Sequence, residues 1–367
     1  MMQFYNDIQD KDTKSIIFEI ISRNGFTVEH NYYYFLSLAT PKVKVVFVHF
    51  GEGKGLIALE RKGGRWDIVS EIMAPKNERA KLFMEFSSHL FTNTDCRKIY
   101  VEFVPELKRE ILKLQKTLIK DYDTTNLIKD YTKANSSKSS EYAASSIISS
   151  TTSSYAPMII GKNVYIFYCP LCNLRTWDPE LKAKELDSLK CTKKKFDNRF
   201  KVELIEDKNV LSIPAEDFVK LTHDWREHRK SSDVADYEKY VNFFRKGFLG
   251  GERNLAVKVD GKLCAVASGW TVPNTSGKMF YYSVSLHDYS IPGIGDMLAI
   301  SFFSKLKSDG YEYLDFGGSG TALLNYKKKF QPESCYEIYC FYVRKRKDIN
   351  NKNQNNKNQD DKNEDDR

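Results

Sequence analysis

Two hydrophobic periodicities alternate along the first third of the chain. Apolar residues recur at helical spacing in SIIFEIISRNGF and in the segments that follow Pro75 and Pro105. Short apolar runs bounded by glycines predict strands between these helices, namely YYYFLSLA, VKVVFVHFG, GLIALERK, WDIVSEIM and RKIYVEFV. Strands that alternate with helices predict a layered α/β domain over residues 1–130.

A segment rich in serine, alanine and threonine interrupts this pattern and predicts a linker over residues 131–157. Order is expected to resume over residues 158–346, which form the second predicted domain. The last residues, 347–367, have almost no apolar content and predict a disordered polar tail.

The second domain has its own succession of predicted elements. A strand, NVYIFYC, precedes a strongly basic helix over 182–201, which the strand FKVELIE and two amphipathic helices follow. A hairpin with the turn Asp260–Gly261 comes next, then the strand MFYYSVSL, a glycine turn and a helix. A strand that ends at Asp315, a second glycine turn, a short helix and the strand CYEIYCFYV complete the domain.

The first glycine turn, SIPGIGDM, joins a predicted strand to a predicted helix. Free backbone N–H groups and the helix dipole favour an anion at such a helix start. The turn therefore predicts a site for the phosphates of a donor or cofactor, made of Ser290, Gly293, Ile294 and Gly295. The alternative is a plain turn that needs glycine for its backbone shape.

Composition adds few constraints. The 367 residues carry a formal charge of +8, which suits an anionic ligand such as a coenzyme, tRNA or a lipid headgroup but also an ordinary lysine-rich surface. No segment approaches the roughly 18 to 20 apolar residues of a membrane helix. The charged N-terminus has no apolar signal core, so we expect a cytoplasmic protein without integral membrane contact.

Seven cysteines, an odd number, in a long chain without a predicted signal sequence indicate reduced thiols. Cys169 and Cys172 form a single C-x-x-C pattern, and Cys191 is the one further ligand candidate nearby. Buried structural thiols are favoured over a metal or redox site, because a zinc site usually needs a second ligand pair. No metal is predicted.

The order of elements in the second domain resembles the GNAT (Gcn5-related N-acetyltransferase) fold. In that family a Q/R-x-x-G-x-G/A pattern after the fourth strand binds the pyrophosphate of coenzyme A. Residues 290–295, SIPGIG, match both glycines and carry Ser290 at the position of the basic or amide residue.

The run YEYLDFGGSGTALLNYKKKFQP is similar to the aminoacyl-transferring branch of these proteins. That branch includes the phosphatidylglycerol lysyltransferase C-terminal domain (DUF2156) and the Fem transferases, whose K-x-K-F-x-P element matches Lys327, Lys329, Phe330 and Pro332. The resemblance implies an α/β protein of tandem GNAT-like (acyl-CoA N-acyltransferase) domains, with mixed central sheets flanked by helices and activity in the second. The membrane flippase of lipid-modifying members is absent from this sequence.

Polar residues near the end of the strand YYSVSLHDY are the first catalytic candidates. Ser283, Ser285 and His287 alternate and are expected on one face, where they can polarise a substrate carbonyl or relay a proton. We predict catalytic roles for Ser285 and His287 and substrate contact for Ser283; an exposed strand face is the alternative.

The remaining candidates come from the end of the next strand and from the family resemblance. Asp315 is expected to bind an acceptor amine or an aminoacyl ammonium, or else to cap the glycines after it. The resemblance implies that Lys327 or Lys329 binds the tRNA end or stabilises the transferring ester. Trp270 and Tyr282 are expected to line the substrate channel or to pack in the core.

These features favour an enzyme, a soluble acyl- or aminoacyltransferase. The expected donor substrate is aminoacyl-tRNA or, as the first alternative, acyl-coenzyme A. The acceptor is the amine or hydroxyl of a small molecule, peptide or lipid headgroup. Two other readings stay open: a non-catalytic binding protein on the same fold, and a tRNA-binding module that acts through the helix 182–201.

Overall fold

A computed structural model describes residues 2–117, 158–228 and 237–346, and its centre is one sheet of 12 strands. The predicted linker 131–157 and the predicted tail 347–367 lie outside the described residues. The strands are β1 Gln3–Tyr5, β2 Val43–Gly51, β3 Lys54–Arg61, β4 Arg65–Ile68, β5 Lys98–Phe103, β6 Met158–Asn173, β7 Val202–Glu206, β8 Arg253–Val259, β9 Lys262–Thr271, β10 Met279–His287, β11 Tyr313–Asp315 and β12 Ser334–Lys345.

Helices cover both faces of this sheet. They are α1 Lys11–Asn24, α2 Tyr32–Ser37, α3 Lys76–Asn93, α4 at 105–117, α5 Asp187–Arg199, α6 Ala215–His228, α7 Tyr237–Arg245, α8 Ile294–Ser308 and α9 Thr321–Lys327. Short 3₁₀ helices lie at Lys184–Leu186, Asp207–Ser212 and Lys328–Phe330.

The strand order shows two units of similar topology. Across the sheet the strands lie in the order β1-β2-β3-β4-β5-β12-β6-β11-β10-β9-β8-β7. Each unit has antiparallel neighbours and one parallel pair, which is β4 with β5 in the first unit and β10 with β11 in the second. Helices α3 and α8 make the two crossovers, because parallel neighbours cannot be joined by a tight hairpin.

The last strand, β12, joins the two units. It pairs with β5 on one side and with β6 on the other, both antiparallel. Phe341 and Val343 of this strand pack in the core of the first unit beside Phe103 and Met158. Residues from the end of the chain therefore complete the core of its beginning.

Most predicted elements are confirmed, including the Asp260–Gly261 turn, whose two residues have φ angles of 50° and 84°. The strand predicted at YYYFLSLA is wrong, since Tyr32–Ser37 is helical. The Asn31 side chain accepts the N–H groups of Tyr33 and Tyr34 at 2.9 and 3.1 Å and so caps a helix start. The basic helix predicted over 182–201 is also shorter, with a 3₁₀ turn followed by α5.

Candidate functional site

The glycine turn between β10 and α8 has the predicted strand–turn–helix context. Gly293 caps α8 with a φ of +87°, a conformation that favours glycine. The Asp288 carboxylate accepts the N–H of Ser290 at 2.9 Å and its hydroxyl at 2.6 Å, which fixes the turn. Ser290 is thus held within the turn by Asp288, while the helix start behind it carries the partial positive charge that favours an anion.

His287 lies directly against this helix start. A Cβ atom added to Gly295 would be 2.9 Å from the Cε1 atom of the His287 ring. The structure therefore brings together the predicted imidazole and the predicted glycine, and only a residue without a side chain fits between them without a shift.

A β-bulge decides which polar residues of β10 share a face. The pairing of β10 with β9 shifts register between Tyr282 and Val284. Beyond the shift, Ser285 and His287 lie opposite Ala267 and Ala265, which belong to the core on the α8 side. That core also contains Tyr282.

The prediction that Ser283 shares a face with Ser285 and His287 is wrong. Ser283 is the extra residue of the bulge and lines a small cavity with Tyr34, Lys239 and Trp270 on the other side of the sheet. A bulge cannot be read from strict alternation along a strand, because it inserts one residue into the period.

Tyr282 is 4% exposed, and its ring stacks on Phe316 with centroids 5.3 Å apart. Among the described residues, its hydroxyl has no hydrogen-bond partner. Burial raises the pKa of Tyr282, and the nearby Ser285 hydroxyl opposes the rise. An unsatisfied buried hydroxyl is costly, which makes this group a candidate contact for a substrate oxygen.

Lys329 also lies at the start of α8. Its ammonium is 3.2 Å from a carboxylate oxygen of Asp296, a buried residue in the first turn of the helix. Tyr326 is near the same carboxylate, and burial together with the negative charge of Asp296 raises the pKa of that tyrosine. Sequence reasoning missed Asp296 and Tyr326, because an acidic residue in a first helical turn is common.

Asp315 and Lys327 hold the turn that follows β11. The buried Asp315 carboxylate accepts the Gly317 N–H at 2.8 Å and the Tyr336 hydroxyl at 2.5 Å, and burial raises its pKa. The Lys327 ammonium donates to the carbonyl of Gly317 at 2.8 Å and to that of Phe316. Burial lowers the pKa of Lys327 to about 8, although the Asp315 charge opposes the shift.

The sheet opens between β10 and β11. The two strands pair over three residues only, from Met279 to Tyr281 on β10, and β10 continues to His287 without β11. Gly317 lies at this opening, where an added Cβ would be 3.5 Å from the carbonyl oxygen of Tyr282. The predicted residues thus form two groups. Ser285 and His287 lie on the α8 side of the sheet, Ser283 and Trp270 lie on the other side, and the two groups meet at the opening.

Trp270 belongs to the group on the far side, where the two units meet. Its indole N–H donates to the Val28 carbonyl of the first unit at 2.8 Å, and its ring packs against Tyr34 and Tyr281. Trp270 is 2% exposed. These contacts fit the packing alternative, because a ring enclosed between two units has little surface left for a channel.

Two glutamates of the first unit face the same region. Burial raises the pKa of Glu29 to about 8, and the negative charges of Asp315 and Glu102 add to the rise. Burial likewise raises the pKa of Glu102 to about 7, while Lys239 opposes the shift. Sequence reasoning missed both, because single acidic residues in a loop and a strand carry no local signal.

This pair predicts a pH dependence of stability. Raised folded-state pKa values mean that the folded chain binds these protons more tightly, so the contribution is present below about 4.5 and is lost as pH rises through about 7 and 8. We expect the double variant Glu29→Gln/Glu102→Gln to gain stability relative to the native chain between pH 5.5 and 8.5. Urea unfolding across this range measures the difference.

Substituting two glutamates whose side chains are 63% and 41% exposed, Glu19→Gln and Glu60→Gln, provides the control, which should leave the stability difference constant across this pH range. A Glu29/Glu102 variant whose relative stability stays constant from pH 5.5 to 8.5 would contradict the raised pKa values.

The C-x-x-C pattern does not form one site. Cys172 belongs to the core on the α8 side, whereas Cys169 lies opposite Tyr336 on the strand pair β6–β12 and feels the Asp315 and Glu29 charges. Among the described residues, no group of three His, Cys, Asp or Glu side chains is placed to hold a metal. In the same part of the chain, no helix has the length and apolar content needed to span a membrane.

Comparison with known protein families finds one family that the second unit resembles. Residues 171–342 match the profile of the phosphatidylglycerol lysyltransferase C-terminal family. These residues are therefore similar to that family. It is a family of aminoacyl transferases, and the match includes the glycine turn, Asp315 and the Lys327–Lys329 segment. No curated protein matches the chain.

Solved structures extend the likeness to the first unit. The C-terminal DUF2156 domain of a lysylphosphatidylglycerol synthetase from Agrobacterium fabrum aligns with a TM-score of 0.54 at 15% identity, over 91% of this chain and 92% of that one. L-PGS from Bacillus licheniformis aligns at 0.54 and 12%, over 92% and 93%. A tandem GNAT protein from the clavulanic acid pathway aligns at 0.50 and 10%, over 94% and 98%. The tandem GNAT fold is thereby confirmed.

Proposed function

We propose that the chain is an acyltransferase that moves an aminoacyl group from aminoacyl-tRNA to an amine or hydroxyl acceptor. The family of residues 171–342 supports the aminoacyl group. The observation that carries the choice of donor is the position of the basic helix α5 next to the glycine turn. A Cβ added to Gly293 would lie 3.0 Å from the Thr192 methyl group and 3.6 Å from the Phe196 ring, both on α5.

This contact joins two features that are far apart in sequence. Helix α5 and its flanks carry eight basic residues, Lys182, Lys184, Lys190, Lys193, Lys194, Lys195, Arg199 and Lys201. A nucleic-acid backbone that follows such a helix is held by electrostatic attraction. Its terminal phosphates would then reach the start of α8, where backbone N–H groups favour an anion.

The transfer needs a carbonyl site and an acceptor site. The bulge at Ser283 interrupts the β10 ladder, so backbone N–H groups there are available to a developing oxyanion. The unsatisfied Tyr282 hydroxyl is directed to the same face as Ser285 and His287. The acceptor would enter from the Asp315 side, through the opening between β10 and β11, and attack the ester carbonyl. His287 would take the acceptor's proton and return it to the ribose oxygen of the tRNA as the ester C–O bond breaks.

An acetyl-coenzyme A-dependent N-acetyltransferase is the second candidate, because the tandem GNAT fold is compatible with coenzyme A. In that case the pyrophosphate would occupy the same helix start. Ser290 offers it no cation, and both Ser290 donors are engaged by Asp288.

Parallel binding measurements test the two donors. Purified protein is titrated with aminoacyl-tRNA, with the same tRNA deacylated, and with acetyl-coenzyme A. Tight binding of aminoacyl-tRNA followed by transfer to a primary amine would support the proposal. Binding of acetyl-coenzyme A alone would replace this proposal with an acetyltransferase. Binding of neither donor would favour a non-catalytic binding protein.

Removing two lysines of α5 should lower both tRNA affinity and its salt dependence. Lys190 and Lys194 are exposed and one helical turn apart. We expect Lys190→Gln/Lys194→Gln to reduce the slope of log K against log salt by about 1 to 2. The measurement is a salt titration of tRNA binding.

The matched control replaces two exposed lysines of the first unit, Lys76→Gln and Lys113→Gln, and should leave the slope near its native value. Equal effects of both pairs would show that net charge, not α5, attracts the tRNA.

A further inference from the structure

The strand β7 forms one edge of the 12-stranded sheet, and its backbone is arranged to accept another strand. The Asp260 N–H donates to the Lys201 carbonyl at 3.0 Å, in the same register that pairs Val202 with Val259. Pairs that bond across an antiparallel ladder alternate with pairs that do not. The N–H and C=O groups of Val202, Leu204 and Glu206 therefore point away from β8 towards the open edge.

The two edges of the sheet differ. The opposite edge strand, β1, has only three residues, and short edge strands are one way in which proteins block unwanted pairing. In contrast, β7 has five residues, contains no proline and pairs with β8 without a register shift. The Leu204 side chain at its centre is 46% exposed. Among the described residues, no proline, bulge or covering strand blocks this edge, and its only protection is the charge of Glu203 and Glu206.

A groove of about 680 Å³ runs beside the edge. Its walls are β7 and the segment from Asn209 to Asp217. Three exposed carboxylates line it, those of Glu203, Glu206 and Asp217, against one lysine, Lys258. Because Lys305 also approaches Glu206, at 3.5 Å, part of this charge is balanced, but the surface of the groove remains acidic.

We propose that the open edge of β7 binds an extended segment of another protein that carries lysine or arginine at alternate positions. Such a segment would add to the sheet as a further strand, with main-chain hydrogen bonds to Leu204 and its neighbours. Side chains alternate along a strand, so every second residue would project into the acidic groove. A second copy of this chain fits less well, because two acidic grooves would then meet.

Two labelled peptides serve as probes: a capped nine-residue peptide of alternating lysine and valine, and its glutamate–valine counterpart. Fluorescence anisotropy with the full chain should show at least about 10-fold tighter binding of the lysine peptide. Leu204→Pro should weaken that binding at least about 10-fold, because proline has no N–H to donate. Leu204→Ala, which keeps the N–H, should retain it.

The folded state of Leu204→Pro is checked by thermal melting, since the Leu204 N–H takes no part in pairing with β8. A charge reversal, Glu203→Lys/Asp217→Lys, decides independently: it should shift the preference to the glutamate peptide. Neither variant touches the α8 start, so donor binding reports on the proposed function separately.

Three results would overturn the proposal. They are no binding of the lysine peptide, equal affinity of the native chain for both peptides, and a preference that survives charge reversal. Self-association that Leu204→Pro abolishes in sedimentation would assign the edge to a second copy of the chain instead.

Discussion

Gly295→Trp is expected to lower donor affinity by about 100-fold or more. A single added carbon at this position already lies 2.9 Å from the His287 ring, closer than side-chain carbons normally approach. An indole would displace His287 and fill the space in front of the first turn of α8, where the donor phosphates are proposed to bind. Equilibrium binding of aminoacyl-tRNA and of acetyl-coenzyme A measures the loss for either donor.

Ser308→Trp introduces the same side chain at the other end of α8, on an exposed residue, and should leave donor affinity unchanged. Gly295→Ala should give a donor affinity between these two, because the imidazole is the end of a side chain and can move to make room for one carbon. Native-like donor binding by a folded Gly295→Trp protein would remove the α8 start from the donor site.

Lys327→Met is expected to destabilise the fold by about 1–3 kcal/mol for each buried carbonyl that loses its hydrogen-bond donor. The substitution leaves the buried Asp315 carboxylate without its nearby cation and removes the donor from two backbone carbonyls. Urea unfolding at neutral pH measures the change. Lys328→Met, on the exposed neighbouring residue, is the control and should stay near the native value.

A double-mutant cycle isolates the charge interaction. Asp315→Asn removes the charge but keeps an oxygen that accepts from Gly317 or Tyr336. Each single variant removes the same electrostatic interaction between Lys327 and Asp315. The loss of unfolding free energy in the double variant should therefore be smaller than the sum of the two single losses by about 0.5–3 kcal/mol. Strict additivity would show that Lys327 acts only through the carbonyls of Phe316 and Gly317.

The sequence predicted much of the second unit because local signals there agree. The glycine turn, the Asp260–Gly261 hairpin and the amphipathic helix α8 each have a turn residue or periodicity that specifies one conformation. The error at Tyr32–Ser37 has the opposite cause: consecutive aromatic residues suit a strand, but the Asn31 cap starts a helix.

The site was predictable only where its residues are close in sequence. His287 and Gly295 lie eight positions apart, and the structure places them in contact. Val28 and Trp270 lie far apart in the sequence and come into contact because the two units share one sheet. The bulge at Ser283 depends on how β9 pairs, so no pattern within β10 alone reveals which face Ser283 occupies.

The position of β12 has a consequence for how the protein is made. On a ribosome, β5 and β6 emerge long before β12, yet the strand that pairs with both is among the last described residues to be synthesised. Until then both units have an unpaired strand edge, and the first unit also lacks Phe341 and Val343 from its core. The nascent chain is therefore exposed to wrong strand pairing until β12 has been made, and a nonsense codon even shortly before Ser334 would leave both units without the strand that joins them.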